Sequence, residues 1–105
     1  MAIQIISELL DGCVLACLKG QDYYGYALTQ RLQAAISVSE STLYPVLRRL
    51  KKNDWVKTYD QAYQGRNRRY YQITSAGLTQ LSAIQQEWQT YYLAINHLLQ
   101  GEDEP

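Results

Sequence analysis

Apolar residues recur along this chain in spaced runs separated by polar breaks. Between residues 3 and 19, Ile3, Ile6, Leu10, Cys13 and Cys17 follow one another at steps of three and four, and Leu9, Val14 and Leu18 widen the stripe. That period predicts a helix over residues 3–19 with Gly20 as its C′ stop. Asp22 offers an N-cap for a second helix over about 23–34. Gly25 lowers helix propensity inside it and predicts a close backbone contact.

The segment ISVSES turns the chain. Ser39 is the candidate N-cap of a third helix running to about residue 52, with Leu43, Val46, Leu47 and Leu50 as its buried stripe. At roughly 100° per residue the opposite face carries Ser41, Pro45, Arg48 and Lys52, flanked by Thr42, Tyr44 and Arg49. With Ser39 as cap, Pro45 removes one intrahelical bond; with Ser41 or Thr42 as cap it falls in the tolerated first turn. Asn53-Asp54 suits a helix exit, because Asn and Asp tolerate the left-handed conformation.

The period then changes. WVKTY and RRYYQIT are rich in β-branched and aromatic residues and predict two strands, with the polar DQAYQGRN between them as a hairpin loop. Thr74 or Ser75 caps a last helix to about residue 99. Its apolar positions Leu81, Ile84, Trp88, Tyr91, Ile95 and Leu98 are spaced as a heptad seam. Some 25 residues at 1.5 Å each span roughly 37 Å, more than one small domain covers alone. The seam therefore predicts a partner helix. The expected organisation is residues 1–73 as one folded unit, 74–100 as a dimerisation helix and 101–105 as a frayed acidic tail.

At 105 residues the chain is one domain, and 47% hydrophobic content suffices for a core. Net charge is zero, which alone argues against a polyanion partner. Its distribution reverses that. Eight of the ten basic residues, Arg48, Arg49, Lys51, Lys52, Lys57, Arg66, Arg68 and Arg69, lie between positions 48 and 69, opposed there only by Asp54 and Asp60. A local patch focuses potential toward a polyanion even in a neutral chain.

A single histidine excludes a two-His metal site within one subunit, and two cysteines exclude a disulfide framework. Cys13 and Cys17 sit four apart on one helix, about 5–6 Å between Cβ atoms, too far for a disulfide. Buried free thiols are the default and a redox switch the alternative. No phosphate-binding loop, GxSxG, HExxH or paired CxxC is present, so no enzyme class is indicated and no cofactor or metal is expected. No run approaches eighteen apolar residues, and MAIQIISELLDG lacks the basic flank of a signal peptide, so a soluble cytoplasmic protein is expected.

The order helix, helix, turn, helix, ribbon, long helix is that of a winged helix-turn-helix: mainly α with a small β-hairpin, plus a long C-terminal helix. In that arrangement the third helix enters the DNA major groove, and the wing reaches the adjacent backbone or minor groove. The residues expected at DNA are Ser39, Ser41, Thr42, Tyr44, Arg48, Arg49 and Lys52 on the third helix, with Arg66, Arg68 and Arg69 on the wing. Of these Arg69 is the weakest, since it is placed to pair with a carboxylate.

The stretch STLYPVLRRLKKNDWV resembles the recognition helix of PadR-like transcriptional regulators, YYGYALTQRL their second helix, and GRNRRYYQITSAG their wing strand and the start of their last helix. The sequence departs from that pattern at Asp54, where the family usually has Gly. The resemblance implies a homodimer, built by the last helix against the partner's first, and a repressor of a pseudo-palindromic operator on double-stranded DNA. It also implies the compact subgroup with one C-terminal dimerisation helix. Some relatives bind planar aromatic or phenolic effectors with a Trp on the last helix, and Trp88 stands at the matching place, with Tyr91 and Tyr92 beside it. The competing reading of these three is plain dimer core. The competing function is a winged-helix interaction module whose basic face meets an acidic protein.

Overall fold

In the computed structural model, residues 3–101 are described, and the remaining tail and first two residues lie outside the description. The frayed tail expected over 101–105 therefore falls almost wholly outside the described residues. The elements in order are α1 (Ser7–Gly20), β1 (Tyr23–Tyr24), α2 (Gly25–Gln33), α3 (Glu40–Lys52), β2 (Val56–Tyr63), β3 (Arg66–Ile73) and α4 (Ser75–Leu99). The fold is mainly helical with a small antiparallel sheet, as the sequence implied.

The first helix starts later than expected. Residues 3–6 precede it and Ile6 is extended, because the IQII run is rich in β-branched residues that favour extended backbone. Ile3 is fully exposed, while Ile5 packs against the core. Gly20 is the last helical residue, not a residue past the end. The buried side of α1 is Leu10, Val14, Leu15 and Leu18; Cys13 and Cys17 lie at its half-buried edge.

Asp22 does not cap α2. Tyr23 and Tyr24 instead pair with Tyr71 and Tyr70 of β3, so the expected two-stranded ribbon is a three-stranded sheet of order β1-β3-β2. The Asp22 carboxylate accepts from the Tyr59 hydroxyl (2.7 Å) and the Gln72 amide (3.2 Å), tying β1 to both other strands. Gly25 is not forced by close approach, since a Cβ there would meet only Tyr71 Cε1 at 3.8 Å.

Ser39 is the cap of α3: its hydroxyl accepts from the Thr42 backbone N–H at 3.2 Å. Pro45 therefore lies beyond the first turn and leaves the Ser41 carbonyl without a helical donor, a loss carried on the exposed face. Leu43, Val46, Leu47 and Leu50 are buried as expected. The helix ends through Asp54 in the left-handed region, φ 60°.

The hairpin is longer than its composition suggested. DQAYQGRN is not a loop; only Gln64 and Gly65 turn, with φ 51° and 78°, and pairing runs without interruption from Val56↔Ile73 to Tyr63↔Arg66. Positive φ at both central residues matches the twist of the flanking strands.

Thr74 caps α4, accepting from the Gly77 N–H at 3.0 Å and donating its hydroxyl to the Asp54 carbonyl at 2.6 Å. The first turn presses so closely on the end of α3 that a Cβ on Gly77 would strike the Trp55 carbonyl. Further along, Gly12 of α1 meets Ile84, where an added Cβ would stand 2.7 Å from Ile84 Cγ2. The core gathers Leu10, Val14, Leu15, Leu18, Leu28, Leu32, the α3 stripe, Val56, Leu81 and Ile84.

Candidate nucleic-acid interface

The α3 stripe fixes which residues face outward. With Leu43–Leu50 buried, the helix presents Ser41, Thr42, Tyr44, Arg48 and Lys52 to solvent, and Tyr44 is 55% exposed. At its start the Ser39 hydroxyl lies 3.0 Å from that of Ser41 and 2.9 Å from that of Thr42. The N-terminal backbone N–H groups that the Ser39 cap does not take and a polar hydroxyl cluster thus head a basic face.

Arg49 departs from this set. Its guanidinium grips Asp11 of α1 through two bonds, Nη2 to Oδ1 and Nε to Oδ2, the latter at 3.3 Å. Asp11 is buried, and the bond to it raises the already high Arg49 pKa. One turn of helix places residue 49 on the boundary between the buried stripe and the outer face, and a buried carboxylate on α1 draws it inward. The residue expected at DNA thus ties α3 to α1.

The wing sorts its cations by strand alternation. Arg66 and Arg68 share one face of β3 with Tyr70 and Gln72; Arg69 lies on the other with Tyr71 and Ile73. Arg69 pairs with Asp60 directly across the ladder at 3.3 Å. Hydrogen bonds from Asn67 and then Arg69 hold the Asp60 carboxyl below its ordinary pKa. Arg66 is exposed beside the turn. Arg68 lies over two tyrosine rings, Tyr24 at 4.1 Å and Tyr63 at 3.8 Å. Neither tyrosine was singled out from the sequence; the only signal was the unusual count of ten Tyr in a chain without Phe.

The last helix divides in two. Leu81 and Ile84, expected at a dimer seam, are already buried within the chain. The rest of that seam is open: Trp88, Tyr91 and Leu98 are exposed, and Ile95 borders on it. Between α1 and α4 runs an apolar groove of about 650 Å³, whose lining includes Leu9, Cys13, Ile84, Trp88, Tyr92 and Ile95. Trp88 and Tyr92 rings stand 5.6 Å apart.

Among the described residues no group of three or more His, Cys, Asp or Glu is placed to hold a metal ion, and no helix is long and apolar enough to cross a membrane.

Comparison with known proteins agrees with this geometry. The profile of the transcriptional regulator PadR-like family matches residues 14–83. A crystal structure of a protein from Streptococcus mutans UA159 is 34% identical, covers 100% of this chain and 99% of its own, and superposes with a TM-score of 0.88. A PadR-like transcriptional regulator from Bacillus cereus is 36% identical over 88% of this chain and 92% of its own, TM-score 0.79. An uncharacterized protein X of Lysinibacillus sphaericus is 33% identical over 102 residues, which is 92% of this chain and 94% of that one.

Proposed function

The chain belongs to the PadR-like family of transcriptional regulators, which are not enzymes, and from that premise we propose that it is a homodimeric repressor of a pseudo-palindromic operator. The observation that carries the reading is the outer face of α3. A fully buried Leu43–Leu50 stripe leaves Ser41, Thr42, Tyr44, Arg48 and Lys52 projecting together, beside a wing bearing Arg66 and Arg68. In this reading Ser39, Ser41, Thr42 and Tyr44 meet base edges and sugars, Arg48 and Lys52 the flanking phosphates, and the wing the neighbouring backbone. Acting on DNA, the protein works in the cytoplasm.

The dimer reading is supported by the groove between α1 and α4 and by the apolar, uncovered second half of α4. Residues 1–73 then form the DNA-binding unit and 74–100 the dimerisation helix. Two-fold symmetry sets half-sites one helical turn of DNA apart, about 34–36 Å, or a multiple of it.

A planar aromatic or phenolic effector is the finer part of the proposal. The Trp88 and Tyr92 rings lining the groove support it, because flat rings stack on indole and phenol faces. Footprinting on the upstream region of the protein's own gene, with and without a panel of planar aromatics, tests each part. Protection of two related half-sites supports the operator reading; no protection defeats it. In a Trp55→Tyr background, quenching of Trp88 together with loss of protection supports an effector. An unresponsive Trp88 leaves a regulator whose groove is only dimer core.

A further inference from the structure

Arg68 is held differently from its neighbours. Arg49 and Arg69 are each tied to a carboxylate, Asp11 and Asp60. Among the described residues Arg68 makes no ion pair, and its guanidinium lies over the rings of Tyr24 and Tyr63. Those rings come from the strands on either side of β3: Tyr24 from β1, Tyr63 from β2. The five N–H donors of a guanidinium lie in its own plane. Ring faces beneath the guanidinium attract its charge without accepting its N–H bonds, so its donors stay available to a ligand. They also remove freedom that a long side chain otherwise loses on docking.

The Tyr24 ring is itself braced. Tyr24 contacts Tyr70 at 5.7 Å, and Tyr70 stacks on Tyr59 at 5.4 Å with the planes 10° apart. The Tyr59 hydroxyl is anchored on Asp22 at 2.7 Å. Arg66, on the same face nearer the turn, has no such support among the described residues.

We propose that Tyr24 and Tyr63 are positioning residues for DNA binding, holding Arg68 as a preset fork for one backbone phosphate. The proposal rests on the DNA-binding reading and adds two residues to it. The ring faces matter here, not the tyrosine hydroxyls. Arginine is required because lysine has neither the plane to stack nor the fork to present.

The test uses the full chain and a labelled random-sequence DNA duplex, with anisotropy read across a salt series. Tyr63→Phe keeps the ring and should bind as the native chain does. Tyr63→Leu should weaken binding about two- to fivefold, the range an exposed cation–π contact represents. Arg68→Ala should lower the salt slope by about one. The double variant Tyr63→Leu, Arg68→Ala should bind no more weakly than Arg68→Ala alone. Tyr63 is exposed, so its replacement should spare the fold, which circular dichroism checks. Arg68→Lys supplies an independent arm: it keeps the charge and should still fall short of native affinity. Native binding by Tyr63→Leu or by Arg68→Lys overturns the proposal. So do additive losses in the double variant, which would make Tyr63 a contact in its own right. A native chain without salt-dependent duplex binding defeats the DNA reading itself and this proposal with it; native binding with an indifferent Tyr63→Leu defeats this proposal alone.

Discussion

Asp11 and Arg49, thirty-eight residues apart, form a forked ion pair that fastens α3 to α1. The Asp11 side chain is 9% exposed and that of Arg49 38%, so the carboxylate is the member that depends on its partner. Arg49→Ala strands a buried charge and should cost about 2 kcal/mol in urea unfolding, the scale of a charged hydrogen bond lost. Replacing both, Asp11→Leu with Arg49→Met, should recover much of that, because an apolar pair needs no desolvation. A double variant as unstable as Arg49→Ala would contradict this account.

Gly77→Ala should destabilise by at least the 1–3 kcal/mol of ordinary overpacking, since the new methyl meets a backbone carbonyl and not a yielding side chain. Gly20→Ala, with open space around it, is the control and should not destabilise. Chemical denaturation distinguishes the two.

Sedimentation of the native chain at micromolar concentration should give twice the chain mass. Ile95→Glu places a charge on the uncovered stretch of α4 and should shift the equilibrium toward monomer while the Leu81 and Ile84 packing survives. A native monomer would end the dimer reading.

Tyr44→Ala and Arg48→Ala should each weaken operator binding by about 1–3 kcal/mol. Both side chains lie on the exposed face of α3, so unfolding free energies should barely move. Full operator affinity in both variants would remove α3 from the recognition role.

Burial raises the pKa of Cys13 and of Cys17; the neighbouring Cys17 adds to the first, and Arg31 partly offsets the second. A raised thiol pKa means less thiolate at neutral pH, and the thiolate is the reacting form. Alkylation of the folded chain near pH 7.5 should therefore lag behind that of the urea-unfolded chain, and the gap should narrow as pH rises toward and past the ordinary thiol value of about 8.5. Equal rates in both states would show the thiols to be unperturbed.

Local signals were legible in the sequence and long-range ones were not. The Leu43–Leu50 stripe, the Asn53-Asp54 exit and the last helix, α4, are all set by neighbours within a turn, and the structure has each in place; the start of α3, open between Ser39 and Ser41 or Thr42 in the sequence, is settled at Ser39. Strand β1 is two residues long, too short to show alternation, and it exists only because Tyr70 and Tyr71 pair with it. The outer half of the hairpin has no core beneath it, so its residues lack the apolar alternation that marks a strand, and Gln64-Gly65 is a weaker turn signal than Asn-Gly. The inward turn of Arg49 depends on Asp11, and the setting of Arg68 on Tyr24; no spacing rule connects either pair.

The two faces of the wing are fastened by different chemistry. On one, Asp60 and Arg69 clasp across the ladder; on the other, Arg68 is wedged over Tyr24 and Tyr63. The ribbon beyond the core is thus a cantilever reinforced above and below. Its stiffness resides in side chains that water can reach, so salt should soften the charged upper bracing while leaving the aromatic lower one largely intact. A beam of this kind surrenders its conformational entropy when the chain folds, and little remains to be lost when its tip meets a partner.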